Sequence, residues 1–471
     1  MGIIGNNIVA RVAPPARGIR GRSLLNPDDT SVDEPRDAYS ARPSRVRLLI
    51  LALISFGTVI NYLDRSVLGI AAPLVTRDLG LSAAMMGLIF SAFSWSYAAA
   101  QVPGGILLDR FGTRLVYFVS VSAWSLFTLS QGLVNSIGAL LGCRLGLGLA
   151  EAPCYPANSR VFGTWFPRAE RARANGACSV GQYFGLAFLS PALYWVAANW
   201  GWRALFFLAG ALGLLFAGIW LKLYREPQLG GGINRAELDY IERGGGLGRT
   251  VVRTPFSWRN LRQLLGKRQF VGAAFGQFAS NTTLTFFLTW FPTYLASARH
   301  MQLQKAGFFA VLPYVAASIG VLLGGWLSDW LIKKTGSPTL GRKLPIVTGL
   351  LMATTIIGAN FVRSDVAVIA IMSFVFFGQG MCNLGWTLIT ELAPKQLIGL
   401  TGGLFNLCAN LAGIVTPLVV GVIVGGTGSF FGAFTFIGTV ALLGVFSYVF
   451  IIGDVRQIEL SESTPLQKVR G

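Results

Sequence analysis

The chain has 471 residues, of which 53% are hydrophobic and only 13% are charged, whereas about a quarter of the residues of a soluble domain are charged. This composition excludes a disordered chain and argues against a soluble enzyme. The formal net charge of +19 is typical of nucleic-acid-binding proteins, so its distribution along the chain decides what it means.

Twelve apolar runs follow one another along the sequence. Each is about 20 residues or longer, which is the length that a helix needs to cross ~30 Å of hydrocarbon. The predicted spans are 47–70, 83–107, 114–134, 137–162, 173–198, 203–225, 268–296, 304–332, 343–363, 365–391, 398–425 and 428–452. The predicted domains are a disordered cytoplasmic N-terminal tail (1–46), a six-helix bundle (47–225), a cytoplasmic linker (226–267), a second six-helix bundle (268–453) and a cytoplasmic C-terminal tail (454–471).

The basic residues lie mostly on one side of this predicted topology. Of 39 Lys and Arg residues, 32 fall in the tails, the linker and the loops on the same side, five fall on the other side, and two lie within spans. The positive-inside rule assigns the basic side to the cytoplasm. We therefore expect a multi-pass protein of the inner (plasma) membrane with both termini in the cytoplasm and no nucleic-acid partner.

The two halves of the chain resemble each other. The stretch from Gly105 to Asp109 recurs as Gly325 to Asp329, at an offset of 220 residues, and Pro191 recurs as Pro417, at an offset of 226. A parallel duplication of six-helix units is a transporter architecture, with the substrate site between the halves near the membrane midplane. The sequence therefore predicts a transporter.

Several motifs carry a resemblance to a known family. The stretch Gly105-x-x-x-Asp109-Arg110-x-Gly112-x-Arg114 resembles the signature loop of the major facilitator superfamily. Asn61-Tyr62-Leu63-Asp64-Arg65 and Glu151-Ala-Pro resemble its anion:cation symporter branch, and 287–292 and 397–406 resemble the D-galactonate:proton symporters within it. The resemblance covers about residues 47–455. It implies an all-α membrane protein with 12 transmembrane helices in two pseudo-symmetric six-helix bundles, the major facilitator fold.

Four ionisable residues lie within the spans, away from the helix ends: Asp64, Arg65, Arg144 and Glu151. A charge near the bilayer centre costs at least ~2.5–3.5 kcal/mol, so such groups normally face a cavity and have a partner. Counted from the helix ends, Asp64 and Arg144 lie at a similar depth, close enough in principle to pair. Because Arg65 is turned by ~100° from Asp64, it can face a central cavity while Asp64 faces the fourth helix.

Each of these groups has a predicted role. The planar guanidinium of Arg65 suits the carboxylate of an anionic substrate. Glu151 is the main predicted proton carrier, because an apolar surround favours the protonated form of a carboxyl group. Asp64 is a candidate second proton site, with Arg144 tuning both acids. The resemblance implies the same assignment.

Neutral polar side chains in the spans are candidates for binding substrate hydroxyl groups. The candidates are Tyr62, Tyr97, Gln182, Asn383 and Asn406, with Trp386 as a wall for a sugar carbon face. Hydrogen bonding between helices is the structural alternative for the polar groups. The D-galactonate symporters carry small hydroxyl residues where this chain has Asn383 and Gly385, so the resemblance leaves the identity of the sugar open.

Other motifs predict gating and exclude some classes of protein. Asp109, Arg110 and Arg114 lie at a predicted cytoplasmic helix end, where a charge network is expected to latch one conformation. The five cysteines show no metal-binding or disulfide spacing. We find no catalytic constellation and no Walker lysine motif, so neither an enzyme nor an ATP-driven transporter is expected.

The predicted function is a proton-coupled symporter that imports an anionic sugar acid, D-galactonate or a related aldonate or hexuronate, by alternating access. A dicarboxylate should need a second cation, and the spans of the second half supply none, so monocarboxylates are favoured. An exporter and an exchanger of organic anions or phosphate stay open as alternatives. We expect a monomer in the lipid bilayer with protons as coupling ions and no cofactor.

Overall fold

The computed structural model describes residues 43–227, 232–246, 258–394 and 397–459, and all regular structure in these ranges is helical. Almost all of the predicted N-terminal tail and most of the C-terminal tail lie outside the described residues. The helices are α1 (Val46–Leu79), α2 (Ala83–Phe111), α3 (Thr113–Gln131), α4 (Ile137–Glu151), α5 (Cys154–Trp165), α6 (Arg168–Leu223), α7 (Arg235–Arg243), α8 (Trp258–Leu265), α9 (Arg268–Thr289), α10 (Phe291–Thr293), α11 (Leu303–Thr335), α12 (Pro338–Thr354), α13 (Asp365–Met381), α14 (Gly385–Leu392), α15 (Ile398–Thr427) and α16 (Phe431–Phe446). Short π or 3₁₀ segments follow four of them: Tyr294–Ala298, Thr355–Phe361, Cys382–Leu384 and Ser447–Ile451.

Nine helical segments within the described ranges are long and apolar enough to cross a membrane. One of them, α6, is two helices joined at Gly201, whose φ of 77° is open to glycine and strained for other residues. This segment therefore contains the predicted fifth and sixth spans. The less apolar helices α3 and α9 complete two sets of six.

Local sequence signals set several of the helix ends. α1 ends at Gly80, which adopts the left-handed conformation (φ 63°) and donates its N–H to the carbonyl of Thr76. The hydroxyl of Ser82 accepts a hydrogen bond from the N–H of Met85 and so caps the start of α2. A glycine stop followed directly by a serine start makes the tight connection between the first two spans.

Part of the predicted linker is helical and packs on the start of α1. The buried carboxylate of Glu237, on α7, accepts hydrogen bonds from the hydroxyl of Ser44 (2.5 Å) and the guanidinium of Arg47 (2.9 Å). Arg47 also contacts Glu170 (3.2 Å), and the hydroxyl of Tyr240 donates to Glu170 (2.7 Å), which raises the pKa of Tyr240. We call the end of the molecule where α7 packs on the start of α1 the linker end, and the end farthest from it the opposite end.

The buried apolar side chains show where the two halves meet. At the opposite end, one continuous cluster includes residues from α1, α2 and α6 of the first half and from α9, α11 and α13 of the second. Toward the linker end, each half has its own separate cluster. The halves are therefore packed together at the opposite end and part toward the linker end.

Candidate functional site

A cavity of about 590 Å³ lies between the two halves. Its volume falls in the range of small-molecule sites. Side chains at the start of α6, including Arg168 and Arg171, line it at the linker end, while Leu288 and Thr289 line it near the apolar contact between the halves. The cavity is therefore closed at the opposite end and extends toward the linker end.

All seven predicted substrate-binding residues line this cavity. They are Tyr62, Arg65, Tyr97, Gln182, Asn383, Trp386 and Asn406, and the predicted tuning residue Arg144 joins them. The 3₁₀ segment Cys382–Leu384 between α13 and α14 breaks the tenth span where Asn383 lies, and the Trp386 ring packs edge-on against Phe405 (5.2 Å between centroids). Among the described lining residues we do not find the predicted proton sites Asp64 and Glu151.

Arg65 is enclosed by aromatic rings. Its guanidinium carbon lies 5.3 Å from the ring centroid of Tyr62, 4.8 Å from that of Phe93 and 5.0 Å from that of Tyr97. The Tyr155 hydroxyl donates a hydrogen bond to the Tyr62 hydroxyl (3.0 Å). Cation–π attraction therefore holds the guanidinium at the cavity wall. Sequence reasoning missed Phe93 and Tyr155, and the one available signal was that Tyr155 follows Glu151 by one helical turn.

Arg65 pairs with Glu151. The Nε of Arg65 donates to Oε1 of Glu151 at 2.7 Å, and its Nη2 contacts the same oxygen. Glu151 is fully buried, and its Oε2 has no hydrogen-bond partner among the described residues. Sequence analysis predicted separate roles for these two residues, whereas the structure brings them into direct contact. An anion in the cavity and the carboxylate of Glu151 would therefore meet the same guanidinium.

Asp64 and Arg144 form no ion pair within the described ranges, although their similar depth would allow one. The carboxylate of Asp64 lies near Thr128 and Trp124 of α3 as well as near Glu151 and Arg144 of α4, and neither of its oxygens has a hydrogen-bond partner among the described residues. The guanidinium carbon of Arg144 lies 5.3 Å from the ring centroid of Phe93. The position of a residue along a helix determines its depth in the membrane but not the direction in which its side chain points. Arg65 contacts Glu151 on α4. Because Asp64 is turned by ~100° from Arg65, its side chain points toward α3.

The predicted gating residues lie at the linker end, away from the cavity. The carboxylate of Asp109 lies 3.6 Å from the guanidinium of Arg160 on α5. The guanidinium of Arg114 donates to the carbonyl of Leu221 (2.6 Å), and that of Arg110 lies over the ring of the next residue. Arg160 is a partner that sequence reasoning did not identify.

The internal repeat places a similar pair in the second half. The carboxylate of Asp329 lies 3.6 Å from the guanidinium of Arg342, which also contacts Glu391 at 2.8 Å. Each half therefore has an aspartate–arginine contact at the linker end of its second span.

Amide side chains dominate the second-half wall of the cavity. Asn406 donates to the Oε1 of Gln101 in the first half (3.1 Å), Asn410 donates to Asn406 (3.0 Å), and Gln277 donates to Asn281 (3.3 Å). The described second-half residues that line the cavity carry no charge. Polar residues in otherwise apolar spans were a signal that could have found these amides.

The charged groups at the cavity suit an anion. Four arginines of the first half line it: Arg65, Arg144, Arg168 and Arg171. The expected lack of a second cation therefore holds only for the second half. No group of three His, Cys, Asp or Glu side chains that could hold a metal ion occurs in the part of the chain that the structure describes. The arrangement can bind a carboxylate at Arg65, directly beside the buried carboxyl group of Glu151.

Curated relatives match nearly the whole chain. The probable galactarate/D-glucarate transporter GudP of Escherichia coli K12 is 44% identical over 88% of this chain and 96% of its own length. The D-galactonate transporter of Escherichia coli O6:H1 is 43% identical over 89% and 98%. The hexuronate transporter of Bacillus subtilis is 34% identical over 88% and 96%.

Solved structures match in fold. A bacterial homologue of the human lysosomal transporter Spinster, in an inward-facing conformation, superposes with a TM-score of 0.64 at 20% identity, covering 86% of this chain and 96% of that one. The sequence profile of the Major Facilitator Superfamily matches residues 54–417. The predicted fold class is thus confirmed, as is the expectation of a transporter and not an enzyme. The chain belongs to the major facilitator superfamily of membrane transporters.

Proposed function

We propose that this transporter is a symporter that imports an anionic sugar acid together with protons. The candidate substrates are D-galactonate and related aldonates, hexuronates and aldarates. Protons are the coupling ions, no cofactor takes part, and a monomer in the inner (plasma) membrane suffices. The names of the relatives support the substrate class, and the one-sided distribution of basic residues supports cytoplasmic termini.

The observation that carries this proposal is the contact between Arg65 and Glu151. Arg65 lines the cavity, whereas Glu151 lies behind it, fully buried. While Glu151 is ionised, its carboxylate occupies the guanidinium that a substrate carboxylate needs. When Glu151 takes up a proton it loses its charge, and Arg65 becomes available to the substrate.

This competition links the two ions thermodynamically. A proton on Glu151 strengthens substrate binding, and bound substrate must strengthen proton binding by the same factor. Substrate affinity should therefore rise as the pH falls. Joint loading of proton and anion, followed by joint release on the other side of the membrane, is the requirement for symport.

The rest of the cavity suits a polyhydroxylated chain. Amides of Gln182, Asn383 and Asn406 offer donors and acceptors to hydroxyl groups, and Trp386 offers an aromatic face. Arg144 also lines the cavity, so a second carboxylate has a possible partner. For this reason the substrate test must include dicarboxylates beside monocarboxylates.

The test is uptake into proteoliposomes under an imposed inward proton gradient. The panel contains labelled D-galactonate, D-glucarate, galactarate and hexuronates, each with and without an uncoupler. We expect one or more of these acids to accumulate unchanged, and the uncoupler to abolish the accumulation. If none accumulates but preloaded anion speeds exchange, the protein is an exchanger and the proposal of proton symport is wrong.

A further inference from the structure

A row of buried polar side chains runs along one face of α3. Trp124, Thr128 and Gln131 follow at spacings of four and three residues, so they share a face of the helix. They are 0%, 0% and 1% exposed. Trp124 Nε1, Thr128 Oγ1 and Gln131 Oε1 have no hydrogen-bond partner among the described residues. Buried polar groups are nearly always paired, directly or through ordered water, so three in a row require an explanation.

The row leads to a carboxyl group. The side chain of Asp64 faces both Thr128 and Trp124 and is 1% exposed. The charged groups nearest to it, Glu151 and Arg144, both lie on α4. An acid in a membrane span with polar neighbours on one side is typical of a proton relay.

The row of polar side chains on α3 extends toward the opposite end of the molecule. α3 ends at Gln131, one turn beyond Thr128, at the opposite end of the molecule. The substrate cavity, in contrast, extends toward the linker end, and its described lining includes neither Asp64 nor any residue of the row. The row therefore runs from Asp64 toward the opposite end, whereas the substrate cavity extends toward the linker end.

We propose that the polar face of α3 conducts protons between the opposite end and Asp64, by a route separate from the substrate cavity. This inference rests on the proton coupling proposed above. A hydronium ion from the opposite end, held by the Gln131 amide oxygen, gives a proton to the Thr128 hydroxyl oxygen and is left as water, while the hydroxyl's own proton passes to the carboxylate of Asp64. The aspartate becomes the neutral acid, and the hydroxyl is restored without net charge. Trp124 is a positioning residue that directs its indole N–H at the carboxylate.

Arg144 keeps this route apart from the cavity. It lies near Asp64 and also lines the cavity, so its positive charge stands between the two. A fixed cation of this kind opposes the passage of protons. Protons can therefore reach Asp64 from the opposite end while the substrate path is closed there, without a leak into the cavity.

The test uses the full chain in proteoliposomes with a trapped pH dye and external D-glucarate or D-galactonate. The variant Thr128→Val removes the relaying hydroxyl and keeps the shape of the side chain, and Thr128→Ser restores the hydroxyl. The matched control is Ser125→Ala. Ser125 lies on the same helix, is equally buried and has no hydrogen-bond partner within the described ranges, but its hydroxyl faces Gly213 of α6.

The readout is the rate of substrate-driven proton influx divided by the rate of substrate exchange at equal pH. We expect Thr128→Val to lower this ratio by roughly 100-fold, the lower end of the effect of one proton-transfer group, and Thr128→Ser and Ser125→Ala to keep it near that of the wild type. If Thr128→Val does not fold, Gln131→Leu tests the same row and should lower the ratio in the same direction.

The experiment distinguishes failure of the α3 route from failure of the proposed symport. If the wild type couples protons and Thr128→Val keeps the wild-type ratio, the α3 route is wrong while symport stands. If the wild type exchanges the sugar acid but moves no protons with it, the proposed symport is wrong, and the route has no function to serve.

Discussion

At the scale of single residues, Arg65 is the group on which substrate binding depends. Three rings and Glu151 surround its guanidinium, so both its position and its orientation are fixed before an anion arrives. A planar group held in this way presents its donors in the geometry of a carboxylate. A lysine at this position would supply the charge without the planar fork.

We therefore expect Arg65→Lys to weaken substrate binding even though the charge is kept. The loss of the bidentate contact and of the ring contacts should raise the Kd by roughly 10- to 100-fold. Isothermal titration of the purified protein with the transported sugar acid measures the change. The matched control is Arg203→Lys, because Arg203 also packs on a ring, that of Trp202 (4.2 Å), and pairs with Asp78, but does not line the cavity. Equal Kd values for Arg65→Lys and the wild type would contradict this role of Arg65.

Residue types in the apolar spans were enough to find the main groups of the site, because a charge or amide there needs a partner. Tyr62, Arg65 and Asn406 were predicted and do line the cavity. The sequence could not show which of these charged residues contact each other. Whether Glu151 meets Arg65 or Arg144 depends on the rotation of two helices about their axes, and a single chain without its packing does not reveal that rotation.

At the scale of the helices, glycines permit the closure at the opposite end. A Cβ atom on Gly421 of α15 would lie 2.7 Å from the carbonyl oxygen of Ala83 and 3.1 Å from Gly87 on α2. A Cβ on Gly69 of α1 would overlap the carbonyl of Leu288 on α9. The backbones of the two halves thus touch where only hydrogen atoms fit between them.

We expect Gly421→Ala to shift the protein away from this conformation. Overpacking of this kind costs about 1–3 kcal/mol, enough to change the ratio of two conformations by roughly 5- to 150-fold. Spin labels on the two halves at the opposite end should show longer distances, measured by electron–electron double resonance. Gly426→Ala on the same helix is the control, because a Cβ there would meet open space. Identical distance distributions for Gly421→Ala and the wild type would contradict the role of this contact.

The helices themselves were largely predictable from the length of the apolar runs. Predicted boundaries and observed ones agree within a few residues for α2, α11 and α15. The first span continues through Pro73 to Leu79, beyond its predicted end, and stops at Gly80 in the left-handed conformation. The linker helix α7 was not predicted, although Asn234 caps its start by accepting a hydrogen bond from the N–H of Glu237. Its packing on α1, where Glu237 accepts from the N–H groups of Val46 and Arg47, joins distant parts of the chain and could not be predicted.

At the scale of the whole molecule, the packing of the halves explains how one site could serve two sides of a membrane. The apolar contact at the opposite end and the cavity toward the linker end define one conformation of an alternating cycle. Reversal requires those apolar contacts to part and the two halves to close at the linker end. The duplicated sequence predicts this pseudo-symmetry, but which end is closed is a property of the packed structure alone.

The central claim is that Glu151 couples proton movement to substrate movement by competing for Arg65. The measurement that tests it most directly compares the wild type with Glu151→Gln for pH-driven accumulation of the transported sugar acid in proteoliposomes. Substrate exchange at equal pH is followed in the same preparation as a check on folding. We predict that Glu151→Gln exchanges substrate but does not accumulate it under a proton gradient. Undiminished uphill uptake by Glu151→Gln would contradict the account.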